Sequence, residues 1–325
     1  MRYNHRMNTD RPVPRVLCLT MNPSVDLATE TERVVPTHKL RCGDTLHDAG
    51  GGGVNVARVL TRLGGRCTAV CPTGGPSGHW LEQRMRDEGL DSVFLPIADE
   101  TRVSFTVHEH SSGAEFRFVM PGPHLSEAEW TGCLAHLEGL ADFPELVVAS
   151  GSLPPGVPTD FYARVARLCR QRGAKLVVDA SGPALSAALV EGVFLFKPNL
   201  KELGELTGET LETPAQWQAG ARRLVNEGKA EIVALTLGHQ GALLVTRDAM
   251  WFAPPLDMPV ASAVGAGDSF VGGLVWAWQQ GLALDQAFAW GVAAGSAALL
   301  NAGTGLAHPQ DMQRLFAQVQ VRPVA

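Results

Sequence analysis

Short apolar runs recur along the chain with stretches of helical period between them, and this alternation limits the fold more than any other feature. Strands fit VLCLT (16–20), CTAVCP (67–72), VFLPI (93–97), LVVAS (146–150), KLVVD (175–179), LFKP (195–198) and IVALTL (232–237). Helices fit 54–63, 77–88, 158–171, 184–190, 214–227, 268–280, 284–300 and 309–319. Strand, crossover helix, strand is the order of a mainly parallel sheet covered on both faces, an α/β fold. The Gly- and Pro-rich joints suit its loops. With 325 residues the chain can bury one large core.

Two segments break the rhythm. Residues 27–48 have no helical period and are rich in Thr and Val, and 101–120 alternates on both sides of HSSG, as a hairpin does. Both read as strands of a small accessory sheet standing off the core. Its apolar positions Phe105, Val107, Phe116 and Phe118 need a cover. Either the core or a second subunit can supply it, and the second case predicts a homodimer through these strands.

A net charge of −6 gives no field that favours nucleic acid or an anionic membrane. No apolar span reaches 18 residues, so no membrane helix is expected. Residues 1–14 are polar and proline-bearing, and read as a disordered extension ahead of one domain over 15–325. The six cysteines lie mostly in apolar runs, which fits buried thiols in the reducing cytoplasm. Cys67 and Cys71 form a lone C-x-x-x-C with no second pair, which does not make a zinc site.

The chemistry-bearing stretches are spread along the sequence. DAGGGGVNVARVL (48–60) holds four consecutive glycines, a pattern that suits unusual dihedrals or a very close approach. It is neither a P-loop nor G-x-G-x-x-G, since the sixth residue from Gly50 is Asn55 and from Gly51 is Val56. In ASAVGAGDSFVGG (261–273) glycines open a helix with Asp268 in its first turn. Free amides and the helix dipole there make an anion site. Asp268 beside them makes sense as a base for an incoming hydroxyl, although it could equally be an N-cap. A serine nucleophile at Ser269 with His308 as base is the rival, but G-x-S-x-G fails at Val271. In KPNLKELGEL (197–206), Asn199 and Glu202 stand three apart. They could orient water on Mg²⁺, or form an ordinary capping box. ALTLGHQGALLV (234–245) suits the wall of a nucleotide pocket, and Asp26 of MNPSVD follows the first strand, where ligands sit in open α/β sheets.

N-P-[SA]-x-D, GGGGVNVAR, SGSLPPG, KPNLKE and VGAGDSFVGG occur in this order across residues 15 to 320. Together they resemble the PfkB, or ribokinase-like, family of carbohydrate kinases. Within it, FRFVMPG, SGSLPPGV, SGPALSAAL and a glycine run without lysine are similar to the minor-type 6-phosphofructokinases, whereas 1-phosphofructokinases and tagatose-6-phosphate kinases usually read GGKG. The resemblance implies a three-layer α/β/α core with a small β-sheet lid, and ATP-dependent phosphorylation of fructose 6-phosphate. A non-catalytic sugar-binding protein is the reading from another class.

Carried over, the resemblance makes Asp268 the general base and the amides of Gly265, Ala266 and Gly267 the anion hole. Asn199 and Glu202 would organise Mg²⁺ through water, Lys197 would approach the ATP phosphates, and Gly238 would line the nucleotide pocket. Asp26, Gly51, Gly52 and Asn55 would grip the sugar hydroxyls with Ser152, so that bare backbone at the glycines meets the sugar. Lys39 and Arg102, both placed in the accessory strands, would meet the substrate's own phosphate, as a sugar phosphate bound by an acidic protein requires. A K⁺ site is implied at Ser262, Val264, Ala298, Asn301 and Gly303, although Gly305 stands where similar proteins carry arginine.

Overall fold

The computed structural model describes residues 13–301, 303 and 305–324. The expected extension therefore lies, from residue 1 to 12, outside the described residues. Fourteen strands are present among them: β1 Val16–Leu19, β2 Ser24–Thr31, β3 Leu46–Gly50, β4 Cys67–Thr73, β5 Asp91–Pro96, β6 Arg102–Glu109, β7 Glu115–Phe118, β8 Leu146–Ser150, β9 Lys175–Asp179, β10 Val193–Phe196, β11 Ala230–Thr236, β12 Ala242–Val245, β13 Met250–Ala253 and β14 Arg322–Pro323. The helices are α1 Gly52–Arg62, α2 Gly75–Asp87, α3 Glu127–Glu138, α4 Phe161–Gln171, α5 Gly182–Val190, α6 Leu200–Thr207, α7 Pro214–Asn226, α8 Ala266–Gln279, α9 Leu284–Ala298 and α10 Pro309–Phe316.

The large sheet runs β14-β13-β12-β11-β10-β9-β8-β1-β4-β5, and every pairing from β5 to β11 is parallel. Its strands are apolar on both faces because both faces are covered. Leu17, Leu19, Val147 and Ala149 join the cluster beneath α3, α4, α5 and α7, while Val16, Cys18, Leu146 and Val148 join the cluster beneath α1, α2, α8 and α9. Three layers result, as expected.

The seven core strands and eight helices expected from the sequence are all found, with ends shifted by a few residues. Helix α3 and strands β13 and β14 were not anticipated. Yet α3 carries a full capping box, Ser126 with Glu129, and buries Trp130, Cys133, Leu134 and Leu137 at helical spacing. All six cysteines are free thiols. No helix among the described residues is long and apolar enough to cross a membrane.

The second sheet is four-stranded, ordered β3-β2-β6-β7, with β2 and β6 parallel and the outer pairs antiparallel. It is the lid foreseen from 27–48 and 101–120, with two corrections. Strand β2 starts earlier, at Ser24, and so carries Asp26 into the lid. Residues 32–45 form a loop, so Lys39 is an exposed loop residue and not a strand residue. One lid face turns to the core, where Glu115 accepts a hydrogen bond from Ser262 at 3.1 Å. The other presents Phe105 and Phe118, stacked at 4.6 Å and left 37% and 43% exposed.

Candidate active site

Helix α8 begins where the chain turns through Gly265, whose φ of 72° lies in the left-handed region that glycine adopts freely. A Cβ there would also overlap the side chain of Leu306. Asp268 sits in the first turn, half-buried, with no side-chain cap at the helix start, so the N-cap alternative fails. Its carboxylate Oδ2 instead accepts a 2.9 Å hydrogen bond from the side-chain amide of Asn55, a buried residue of α1. Burial, followed by repulsion from Asp179, pushes the Asp268 pKa up to about 7, against the Asn55 hydrogen bond and the charge of Lys197.

Lys197 follows β10 and is almost wholly buried. Its Nζ pairs with Asp179 Oδ1 at 3.2 Å. Burial alone would lower its pKa, but attraction to Asp179, Glu202 and Asp268 raises it, so the ammonium is held charged. A Cβ on Gly267 would stand 3.2 Å from that Nζ, which places the lysine against the amides that open α8. Two sources of positive potential thus meet at one point, the helix N-terminus and a cation.

Asn199 and Glu202 do form a capping box on α6. The Glu202 amide donates to Asn199 Oδ1 at 2.9 Å, and the Asn199 amide donates to Glu202 Oε2 at 2.8 Å. This leaves Glu202 Oε1 outside the box. Burial raises the Glu202 pKa. Gly238 lies exposed just beyond β11, whose Thr236 bridges to Asn199, so both stand at the same end of the sheet.

On the other side, the glycine run packs α1 down onto the ends of β1 and β8. A Cβ on Gly50 would overlap the Asp26 carboxylate, one on Gly52 the Ser150 hydroxyl, and one on Gly53 would stand 2.6 Å from the Leu19 carbonyl. Gly51 has φ 104° and faces Thr20. The missing side chains are therefore explained by neighbours within the chain. The side-chain oxygens of Thr20, Asn22, Asn55 and Ser150 are buried here without a hydrogen-bond partner. Such a concentration of unsatisfied groups is expected where polar ligand atoms belong.

Asp26 is half-buried, and Ser24 donates to its Oδ1 at 2.6 Å. Burial raises its pKa, opposed by Ser24 and by the charges of Arg102, Arg58 and Arg117. Arg102 donates to the carbonyls of Asn22, Met120 and Pro23 at 2.9, 3.1 and 3.4 Å, which fixes its guanidinium at the foot of the lid. Ser152 is exposed, and its hydroxyl accepts from the Asn22 amide at 3.0 Å. Lys39 stays on its exposed loop and is not brought into this cluster.

Sequence reasoning passed over Asp179 and Arg117. A carboxylate at the carboxyl end of a parallel strand was the available signal for the first. For the second it was a lone arginine in an alternating strand, paired in register with Thr106. Ser269 is fully buried and its hydroxyl accepts from the Ala307 amide at 3.3 Å, so it is not presented as a nucleophile. At the other loop, Ser262 accepts from the Val264 amide at 3.1 Å, the Ala298 carbonyl accepts from the Asn301 amide at 3.1 Å, and Arg62 donates to the Gly305 carbonyl at 2.8 Å. Gly303 faces Ala28 of the lid, and residues 302 and 304 lie outside the described residues.

A half-buried carboxylate with a near-neutral pKa beside a helix N-terminus and a buried lysine is equipment for moving a proton while an anion is held. Comparison with known proteins places the chain in a family. The family described as pfkB family carbohydrate kinase matches residues 19–311. The chain is 44% identical over 307 residues to the Mycobacterium tuberculosis protein named ATP-dependent 6-phosphofructokinase isozyme 2, covering 94% of this chain and 90% of that one. Two crystal structures of phosphofructokinase-2 from Escherichia coli superpose with 94% of this chain and 99% of each of theirs. The complex with potassium gives a TM-score of 0.89 at 40% identity, and the complex with fructose-6-phosphate gives 0.87 at 38%. With five ordered motifs, a shared core and lid, and relatives matched nearly end to end, the chain belongs to the pfkB family of carbohydrate kinases.

Proposed function

We propose that this protein is an ATP-dependent 6-phosphofructokinase, which converts fructose 6-phosphate and ATP to fructose 1,6-bisphosphate and ADP. The observation that carries the reading is Asp268, held by Asn55 between the glycine-run cradle and the amides that open α8. Asp268 takes the proton from the C1 hydroxyl as that oxygen bonds to the γ-phosphorus and the bond to ADP breaks. The amides of Gly265, Ala266 and Gly267, together with Lys197, stabilise charge on the transferring group, each amide contributing on the order of 3 kcal/mol.

Asp26, Gly51, Gly52, Asn55 and Ser152 hold the sugar, and Arg102 and Arg117 meet its 6-phosphate. The lid excludes water that would otherwise accept the phosphoryl group. Asp179, Glu202 and Asp268 around one lysine leave an excess of negative charge, which suits a divalent cation arriving with the nucleotide. Glu202 Oε1 and Asn199 would orient its water ligands, and Mg²⁺ bound there would neutralise the phosphates. The junction of Ser262 and Val264 with the end of α9 at Ala298, Asn301 and Gly303 offers backbone oxygens to K⁺. We further propose one kinase domain over 15–325, in the cytoplasm, acting as a homodimer through the lid face that bears Phe105 and Phe118.

ADP release with a panel of fructose 6-phosphate, fructose 1-phosphate, tagatose 6-phosphate and free fructose tests the reading. Highest kcat/KM is expected with fructose 6-phosphate. A preference for fructose 1-phosphate or tagatose 6-phosphate would replace the substrate, and binding without turnover would replace the activity.

A further inference from the structure

The largest wholly buried side chain in the described residues belongs to Arg58, one turn beyond Asn55 on α1. Burying a guanidinium is costly unless every donor finds a partner. Here Nη2 pairs with Asp48 Oδ1 at 2.7 Å and Nη1 donates to the Ala49 carbonyl at 2.8 Å. Nε and Nη2 reach the two oxygens of Glu88 at 2.7 and 3.0 Å. Arg84 adds a second cation, 3.0 Å from Glu88 and 3.7 Å from Asp48. Asp48 and Ala49 are the last residues of lid strand β3 before Gly50, and Glu88 closes α2. One core side chain therefore fastens the end of a lid strand to two core helices.

What lies next along that strand gives the fastening its consequence. Asp26 is the register partner of Asp48, and the Asp26 carboxylate rests directly on Gly50, where no Cβ could fit. A shift of Asp48 and Ala49 must shift the seat of Asp26. The core of a globular protein could bury an aliphatic side chain here at no electrostatic cost, so the arginine calls for another explanation than packing.

We propose that Arg58 is a positioning residue for the acceptor. It pins the Asp48–Gly50 corner of the lid to the core, so that Asp26 keeps its place at the sugar while the rest of the lid moves. The role rests on the kinase reading above but not on which hexose phosphate is preferred. Arg58 touches no substrate itself and acts through Ala49, Gly50 and Asp26.

The test compares wild type with Arg58→Lys, Arg58→Met and Asp48→Asn on whichever sugar phosphate the wild type phosphorylates best. Lysine keeps the charge but cannot fork to Asp48, Ala49 and Glu88 together, so it decides the matter if the methionine variant fails to fold. The expected result is a rise in acceptor KM of about tenfold or more in each folded variant, since small displacements of a positioned group cost that much. The KM for ATP should stay at the wild-type value, and amide exchange should quicken selectively over 46–50. Folded variants with lowered Tm but unchanged acceptor KM would overturn the role and leave Arg58 a stability element. A wild type without ATP turnover on any sugar phosphate would overturn both this role and the kinase reading, whereas a changed sugar preference overturns the substrate assignment alone.

Discussion

The side-chain amide of Asn55 donates to the carboxylate of Asp268 across 213 positions of sequence, at 2.9 Å. The bond joins the helix that follows the glycine run to the helix that opens at GAGD. It therefore fixes the distance between the glycine run, proposed to cradle the acceptor, and Asp268, the proposed base. It also leaves the second carboxylate oxygen of Asp268 outside that bond, available to a hydroxyl.

Replacing Asp268 by Asn removes the proposed proton acceptor and keeps the shape. The kcat is expected to fall by about 10²–10⁴, the usual contribution of a general base. ATP affinity should be nearly kept, because the amides of α8 and Lys197 are untouched. Steady-state kinetics with isothermal titration of nucleotide checks both halves, and a variant retaining most of its turnover excludes the base role.

The pH profile follows from the pKa of about 7 at Asp268, raised chiefly by burial and then by Asp179. A base works only when deprotonated, so kcat/KM should rise with pH through about 7. Asp179→Asn removes a repelling charge and frees Lys197 to attract Asp268, so the acid limb should move to lower pH. Asn55→Ala removes a bond to the ionised form, so the limb should move up. Because the folded-state value lies above that of an unfolded aspartate, the contribution of Asp268 to stability is present below pH 4 or so and is lost as pH rises through about 7. Shifts of the acid limb in the same direction for both variants would contradict this electrostatic picture.

The parallel core and the lid hairpin were legible because their signals are local. A strand declares itself by its apolar run, a hairpin by alternation around HSSG, and the start of α8 by glycines at the head of a helix. Asp179 was not legible. Its meaning depends on Lys197, which the parallel register of β9 and β10, with Phe196 beside Val178, brings alongside. Arg58 was hidden for the same reason, since VNVARVL reads as an amphipathic helix and nothing local says that its arginine points inward. Lys39 shows the opposite error, because a Thr- and Val-rich composition suggested strand where residues 32–45 form a loop.

Arg102 is rigid before any ligand arrives, since three backbone carbonyls hold its guanidinium and burial pulls its pKa down. Arg102→Ala should raise KM for the sugar phosphate about tenfold to a hundredfold, the range for losing a charged hydrogen bond. The KM for ATP should hardly move. Free fructose separates the possibilities, because a guanidinium that serves the phosphate cannot matter to a sugar that has none. An equal loss with fructose would mean that Arg102 supports the lid and not the phosphate.

The outer lid face gives the last prediction. Phe105 and Phe118 stack on each other yet remain substantially exposed, beside the half-buried Val107 and Phe116 of the same hairpin. The core cannot cover this face, because the opposite face of the sheet already turns to the core through Glu115 and Ser262. A second copy of the lid can, and each buried phenylalanine would contribute about 1.5–3 kcal/mol. Equilibrium sedimentation should show a dimer for the wild type. Phe118→Asp should give a monomer with the core fold kept, because the side chain stands on the exposed face of the lid. The acceptor KM should rise with it, since an uncovered lid closes less well over the sugar. A wild type that sediments as a monomer at every concentration would refute the interface and leave the exposed aromatic pair without an occupant.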